Sequence, residues 1–163
     1  MTVRNSYVHK LEERCTSRWN IEQINPMSEA MKGMEPQNRP ITAEERTLIE
    51  WLLRHGKAGS ERFIEQVDSL RVAARCLCGC PTVNFSLERA PAAHEPEHIL
   101  ADYLATVDGE DFGVMLFQRG GRLSCLEVYS QAGNDKPFGL PEIKTIYSYE
   151  ELAERKKKLN PLS

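Results

Sequence analysis

The stretch Phe112-Gly113-Val114-Met115-Leu116-Phe117-Gln118-Arg119-Gly120-Gly121-Arg122-Leu123-Ser124-Cys125-Leu126-Glu127-Val128-Tyr129-Ser130 decides the fold class of this chain. Two runs rich in β-branched, aromatic and aliphatic residues flank a Gly-Gly pair. Both glycines can take φ > 0, as the central positions of a tight hairpin turn require. The reading is therefore a strand over Phe112–Gln118, a turn, and a strand over Leu123–Ser130. In the second strand Leu126 and Val128 share one face, while Cys125, Glu127 and Tyr129 share the other.

Upstream, Asp108-Gly109-Glu110-Asp111 is a turn that leads back to a strand over Ile99–Val107. Val72, Ala74 and Cys76 alternate with Arg71, Ala73 and Arg75. Val83, Phe85 and Leu87 alternate with Thr82, Asn84 and Ser86. Both segments read as half-buried strands, which brings the expected number to five. The residues before them carry helical periodicity. Thr42 and Glu45 form a capping box. Leu48, Ile49, Leu52 and Leu53 then line one face, and Gly56 reads as a left-handed stop. A second helix is expected from a Ser60 cap, with Phe63, Ile64, Val67 and Leu70 inward. Ser148 and Glu151 make another capping box, opening a short C-terminal helix to about Lys158. Helices followed by strands argue for an α+β fold. The expectation is an antiparallel meander of five strands, an N-terminal helix pair on one face and a short C-terminal helix. Residues 1–38 read as a weakly helical N-terminal extension, Pro36-Gln37-Asn38-Arg39-Pro40 as a linker, and residues 39–163 as a single α+β domain.

The chain has 163 residues, with 21 Lys+Arg against 24 Asp+Glu and a net charge of −3. Such a balance gives no broad basic footprint for nucleic acid. The one basic run, Arg155 to Lys158, sits at the end of a helix, where cations complement the dipole. Val114 to Phe117 is the longest aliphatic or aromatic run, far short of the roughly 20 residues a spanning helix needs. Met1 to Lys10 lacks the apolar core of a secretory signal. The expectation is a cytoplasmic protein with reduced thiols that binds neither nucleic acid nor membrane.

Several short motifs recur in a known pattern. Ile41-Thr42-Ala43-Glu44-Glu45 with Trp51-Leu52-Leu53 comes first, then Cys78-Gly79-Cys80-Pro81 and Gly113-Val114-Met115-Leu116-Phe117. Leu126-Glu127-Val128-Tyr129-Ser130 and Phe138-Gly139-Leu140-Pro141 complete it. Together they resemble a family of small uncharacterised bacterial proteins, a domain of unknown function, over about residues 39–146. The resemblance implies a bacterial cytoplasmic protein and carries no catalytic residue. Some small families of this class act as immunity or antitoxin partners, an analogy of class alone.

Three constellations bear on chemistry. Cys76, Cys78 and Cys80 offer three of the four ligands that tetrahedral zinc takes. Cys125, His55, His94 and His98 are candidates for the fourth. Otherwise Cys76 is a core residue and Cys78-Gly79-Cys80 a turn. Redox sensing is a further option, with Arg75 nearby to lower a thiol pKa. His94-Glu95-Pro96-Glu97-His98 matches H-E-x-x-H, which needs both histidines on one helical turn. Pro96 opposes that helix, so a metallohydrolase ranks a distant third. Finally, Asn84, Asp102, Glu127 and Tyr129 form a polar-face site suited to acid–base work, or simply the wet side of a sheet. Tyr129, Phe138, Tyr147 and Trp19 are either interface anchors or core.

No complete catalytic constellation emerges. The expectation is a non-enzymatic binding or regulatory protein with a protein partner, and no obligatory cofactor. Zinc is the candidate ion at the cysteines, and a homodimer through residues 1–38 is the candidate assembly.

Overall fold

The computed structural model describes residues 33–86, 95–133 and 137–159. The hairpin forms as the glycines predict: β5 (Glu110–Arg119) turns into β6 (Arg122–Ser130) through Gly120 and Gly121, with φ of +57° and +75°. β4 (Glu97–Val107) pairs antiparallel along most of β5, from Glu97↔Arg119 to Val107↔Glu110. Upstream lie β1 (Met34–Pro40), α1 (Ala43–His55), a 3-10 helix (Ser60–Ser69), β2 (Arg71–Cys76) and β3 (Val83–Phe85). Downstream come a short 3-10 turn (Ile143–Thr145), β7 (Ile146–Tyr147) and α2 (Tyr149–Leu159).

The α+β class holds, but the sheet has seven antiparallel strands in the order β1-β2-β3-β6-β5-β4-β7, not a five-stranded meander. The chain builds β1-β2-β3, then a separate β4-β5-β6 meander, and joins the two through β3 and β6. The two unexpected strands are the edges. The segment read as a linker is β1, paired with β2 from Met34↔Cys76 to Pro40↔Arg71. Its prolines break helix and also lack an N–H, which an edge strand tolerates on its open side. β7 has two residues, too short to show a period. Residues 1–32 lie outside the described residues, and with them the weakly helical extension and most of the candidate dimer segment.

Both capping boxes form. Thr42 Oγ1 accepts from the Glu45 N–H at 3.1 Å, and the Thr42 N–H donates to Glu45 Oε2 at 2.7 Å. Arg39 adds a two-pronged bond to the same carboxylate at 2.7 and 2.8 Å. At α2, the Ser148 N–H donates to Glu151 Oε2 and Ser148 Oγ accepts from the Glu151 N–H.

The end of α1 differs from expectation. Gly56 is extended (φ −76°, ψ −163°), not left-handed. It is needed for closeness: a Cβ there would sit 2.5 Å from the Leu100 carbonyl oxygen and 2.7 Å from that of Leu52. The left-handed residue is Gly59, at φ +86°. Ser60 does not cap the next helix; its hydroxyl donates to the Leu100 carbonyl at 2.9 Å. That helix winds as 3-10 and buries Phe63 and Val67.

One face of the sheet packs on the helices, as the periodicity implies. Leu48, Ile49, Leu52 and Leu53 meet Val72, Phe85, Val114, Leu116, Leu126 and Val128 in one core. The opposite face was expected to be wet and is instead largely buried. Met115, Phe117 and Cys125 form a second cluster with Ile99 and Tyr129 against it. The cause is β5, buried from Phe112 to Arg119 on both sides. A continuous apolar run such as Val114 to Phe117 marks a strand covered on two faces. On that face Glu97 and Arg119 pair at 3.7 Å, both almost fully buried, and burial pushes the Glu97 carboxyl up. Phe138 and Tyr147 are packed, not displayed: Phe138 lies against Phe112, and the Tyr147 hydroxyl donates to Asp111 Oδ1. Among the described residues no helix is long and apolar enough to cross a membrane.

Two measurements check this account. Burial alone would raise the Glu45 carboxyl, but the bonds from Arg39 and Thr42 outweigh it and hold it below its usual 4.5. Its stabilisation is therefore present above that value and lost as pH falls through the lower folded one. Glu45→Gln should cost about 2 kcal/mol at neutral pH. Urea midpoints of variant and parent should converge on acidification. Gly56→Ala should cost about 1–3 kcal/mol by forcing backbone apart, read by the same midpoints.

Candidate metal centre

β2 carries Cys76 to the end of the strand, and a tight loop then brings Cys78 and Cys80 back over it. The loop is closed from both sides. The Cys76 N–H donates to the Thr82 carbonyl at 3.1 Å, and the Leu77 N–H to the Gly33 carbonyl at 2.8 Å. Gly79 takes φ +85°, a conformation that side chains resist. A Cβ on Gly79 would press on the Pro137 ring at 3.1 Å, so the segment that follows β6 braces the turn.

The three sulfurs all lie within 4.8 Å of one another. Cys76 Sγ and Cys78 Sγ are 2.9 Å apart, and the Cys80 N–H points at Cys78 Sγ at 3.5 Å. Cys78 is exposed, while Cys76 and Cys80 are half-buried. A hydrogen bond from Cys80 holds the Cys76 thiol below its ordinary pKa, against the opposing effect of burial. The same bond, with burial, pushes Cys80 strongly up. Arg75 is not the cause. It lies next along the strand, on the opposite face, and pairs with Glu35 across β1.

This donor set fits a thiophilic ion. Zn–S bonds of about 2.3 Å place tetrahedral sulfurs about 3.8 Å apart. The Cys76–Cys78 separation of 2.9 Å must then widen by roughly 0.9 Å, within the reach of side-chain rotation. Among the described residues the group holds three ligands. Cys125, 1% exposed, lies in β6 opposite Asn84 and outside the group. His55 stacks on Trp51 at the end of α1. His98 lies on β4, three strand positions from β3, which is about 14 Å at ordinary strand spacing. It belongs to a strand, not the helix that H-E-x-x-H chemistry requires; His94 lies outside the described residues.

Of the polar-face residues, Asp102 and Tyr129 are brought together by Tyr149, and the Glu127 charge lies close enough to act on Tyr129. Asp102 and Glu127 both oppose Met115, from β4 and from β6, about 10 Å apart across the sheet. Tyr129 lies flat over Gly113, where a Cβ would meet its ring at 2.1 Å. Tyr149 from α2 donates to Asp102 Oδ1 at 3.2 Å and also contacts Tyr129. Burial, more than the Asp102 charge, pushes both tyrosines up, so they remain hydrogen-bond donors at neutral pH. Asn84 sits beside Cys125 with a buried Oδ1 that has no hydrogen-bond partner.

The sequence places Thr82 on the polar face with Asn84 and Ser86 but not as a brace, and it gives Tyr149 no role. Thr82 Oγ1 donates to the Val128 carbonyl and accepts from the Val128 N–H, at 3.1 and 3.0 Å, and it also bonds to Cys80. Its signal was its place one residue beyond Pro81. Tyr149 gave none beyond lying just inside a capped helix.

Thiol alkylation tests the exposure order. Iodoacetamide on the folded, reduced protein should label the exposed Cys78 first and the half-buried Cys76 and Cys80 more slowly. Cys125 should label only in denaturant, since it must first be uncovered. Peptide mass spectrometry reads the order, and early labelling of Cys125 would contradict the burial described. Comparison of the chain with family models, with curated proteins and with solved structures finds no match.

Proposed function

We propose that this is a non-enzymatic binding protein whose ligand is a thiophilic metal ion held by Cys76, Cys78 and Cys80, with zinc the first candidate. The observation that carries the reading is the clustering of three sulfurs within 4.8 Å on a turn braced by Thr82, Gly33 and Pro137. Soft thiolates select zinc, copper(I) and similar ions over hard cations. The exposure of Cys78 supplies an entry path. An ion here would add a further tie between the end of β2 and the start of β3, beside the Cys76 N–H bond to the Thr82 carbonyl.

The reading in which a protein partner is the ligand has less support. Leu77, 61% exposed, is the one exposed large hydrophobic residue among those described. A single surface leucine is ordinary and marks no interface.

Equilibrium dialysis against zinc in reducing buffer, followed by elemental analysis, tests the proposal. One ion per chain is expected, lost in Cys78→Ser and Cys80→Ser and retained in Cys125→Ser. Loading at a hundredfold excess over Kd should add about 2.7 kcal/mol of stability. Protein that stays free of metal after dialysis overturns the reading.

A further inference from the structure

We propose that Cys76 and Cys78 form a peroxide-driven disulfide switch that discharges the ion. The ion's part in this rests on the metal-binding reading above; the thiol chemistry rests on the sulfur geometry alone. The two sulfurs are 2.9 Å apart. A disulfide bond needs about 2.05 Å, some 0.9 Å less. A shared tetrahedral zinc needs about 3.8 Å, some 0.9 Å more. The pair therefore stands midway between a bridge and a pair of ligands, and the two states exclude each other.

Access sets the order of events. Cys78 is exposed, beside the exposed Leu77, whereas Cys76 is half-buried, and Cys80 is half-buried with hydrogen bonds to both Cys76 and Thr82. The Cys78 thiolate attacks one oxygen of hydrogen peroxide. An S–O bond forms, the O–O bond breaks, and hydroxide leaves to take up a proton as water. Cys78 is then a sulfenic acid. The Cys76 thiolate attacks that sulfur; the S–S bond forms, the S–O bond breaks, and a second hydroxide leaves as water. Two thiols lose two electrons, and one peroxide becomes two waters. A bridge removes two of the three ligands, so the ion departs. Exposed disulfides are the readily reduced ones, which makes the step reversible by cellular thiols.

The test uses the full chain, first free of metal. One equivalent of hydrogen peroxide is added, free thiols are blocked without reductant, and peptides are mapped by mass spectrometry. The expected product is a Cys76–Cys78 disulfide that dithiothreitol reverses. Cys76→Ser should stop at a sulfenic acid on Cys78, trapped by dimedone. Cys78→Ser should react at least about tenfold more slowly. Cys80→Ser should still form the bridge, although it loses zinc. A bridge to Cys80 or Cys125, sulfinic acid on wild-type Cys78, or no oxidation overturns the switch. With zinc loaded, a chromogenic chelator should report one ion released per disulfide. Zinc binding without the Cys76–Cys78 bridge ends the switch and spares the metal reading; the bridge without zinc binding does the reverse.

Discussion

The fold depends on a short seam. β3 has three residues, and through Val83↔Leu126 and Asn84↔Cys125 it joins the β1-β2-β3 unit to the β4-β5-β6 meander. So few ladder pairs hold two halves of a sheet only with support. Thr82 provides it at one end, with its hydroxyl bonded to both the carbonyl and the N–H of Val128. The helices provide it on one face, through Val83 and Phe85 in the main core. Thr82 also accepts from the Cys76 N–H through its carbonyl and steadies Cys80. The seam and the thiol turn are thus one local structure.

That arrangement explains why the cysteines sit where they do. A turn that returns from β2 to β3 must bring its first and last residues close together. Placing Cys76 at the end of β2 and Cys80 two residues before Thr82 makes the strand pairing itself gather the sulfurs. Gly79 supplies the bend between them, and its lack of a side chain lets Pro137 close over it. The positions of the donors follow from backbone hydrogen bonds, which is the kind of rigid support a metal site needs.

Local signals in the sequence were reliable where one interaction governs the outcome. The two capping boxes, the Gly120-Gly121 turn and the helical face from Leu48 to Leu53 are each set by neighbours within a few residues. The thiol turn was legible for the same reason. The seam was not, because β3 and β6 are far apart in the chain and nothing in either names its partner. The edge strand β1 was masked by Pro36 and Pro40, which break helices but suit an open edge. The second face reads as wet because Glu127, Asn84 and Tyr129 are polar. Their cover depends on tertiary packing, and the better signal was the unbroken apolar run of β5. Gly56 was identified as structurally required, but for φ instead of closeness.

The two edges of the sheet bear on how the molecule behaves in a crowd. β1 carries Pro36, Pro40 and a break in register between Pro36 and Arg39, while β7 is only two residues long. Neither offers a straight row of free amides and carbonyls onto which another chain's strand could zip. Strand addition is thus hindered at β1, while on the other side β7 covers only Leu104 and Ala105 of β4, and the stretch before them is interrupted at Leu100, whose carbonyl is taken by the Lys57 N–H and the Ser60 hydroxyl.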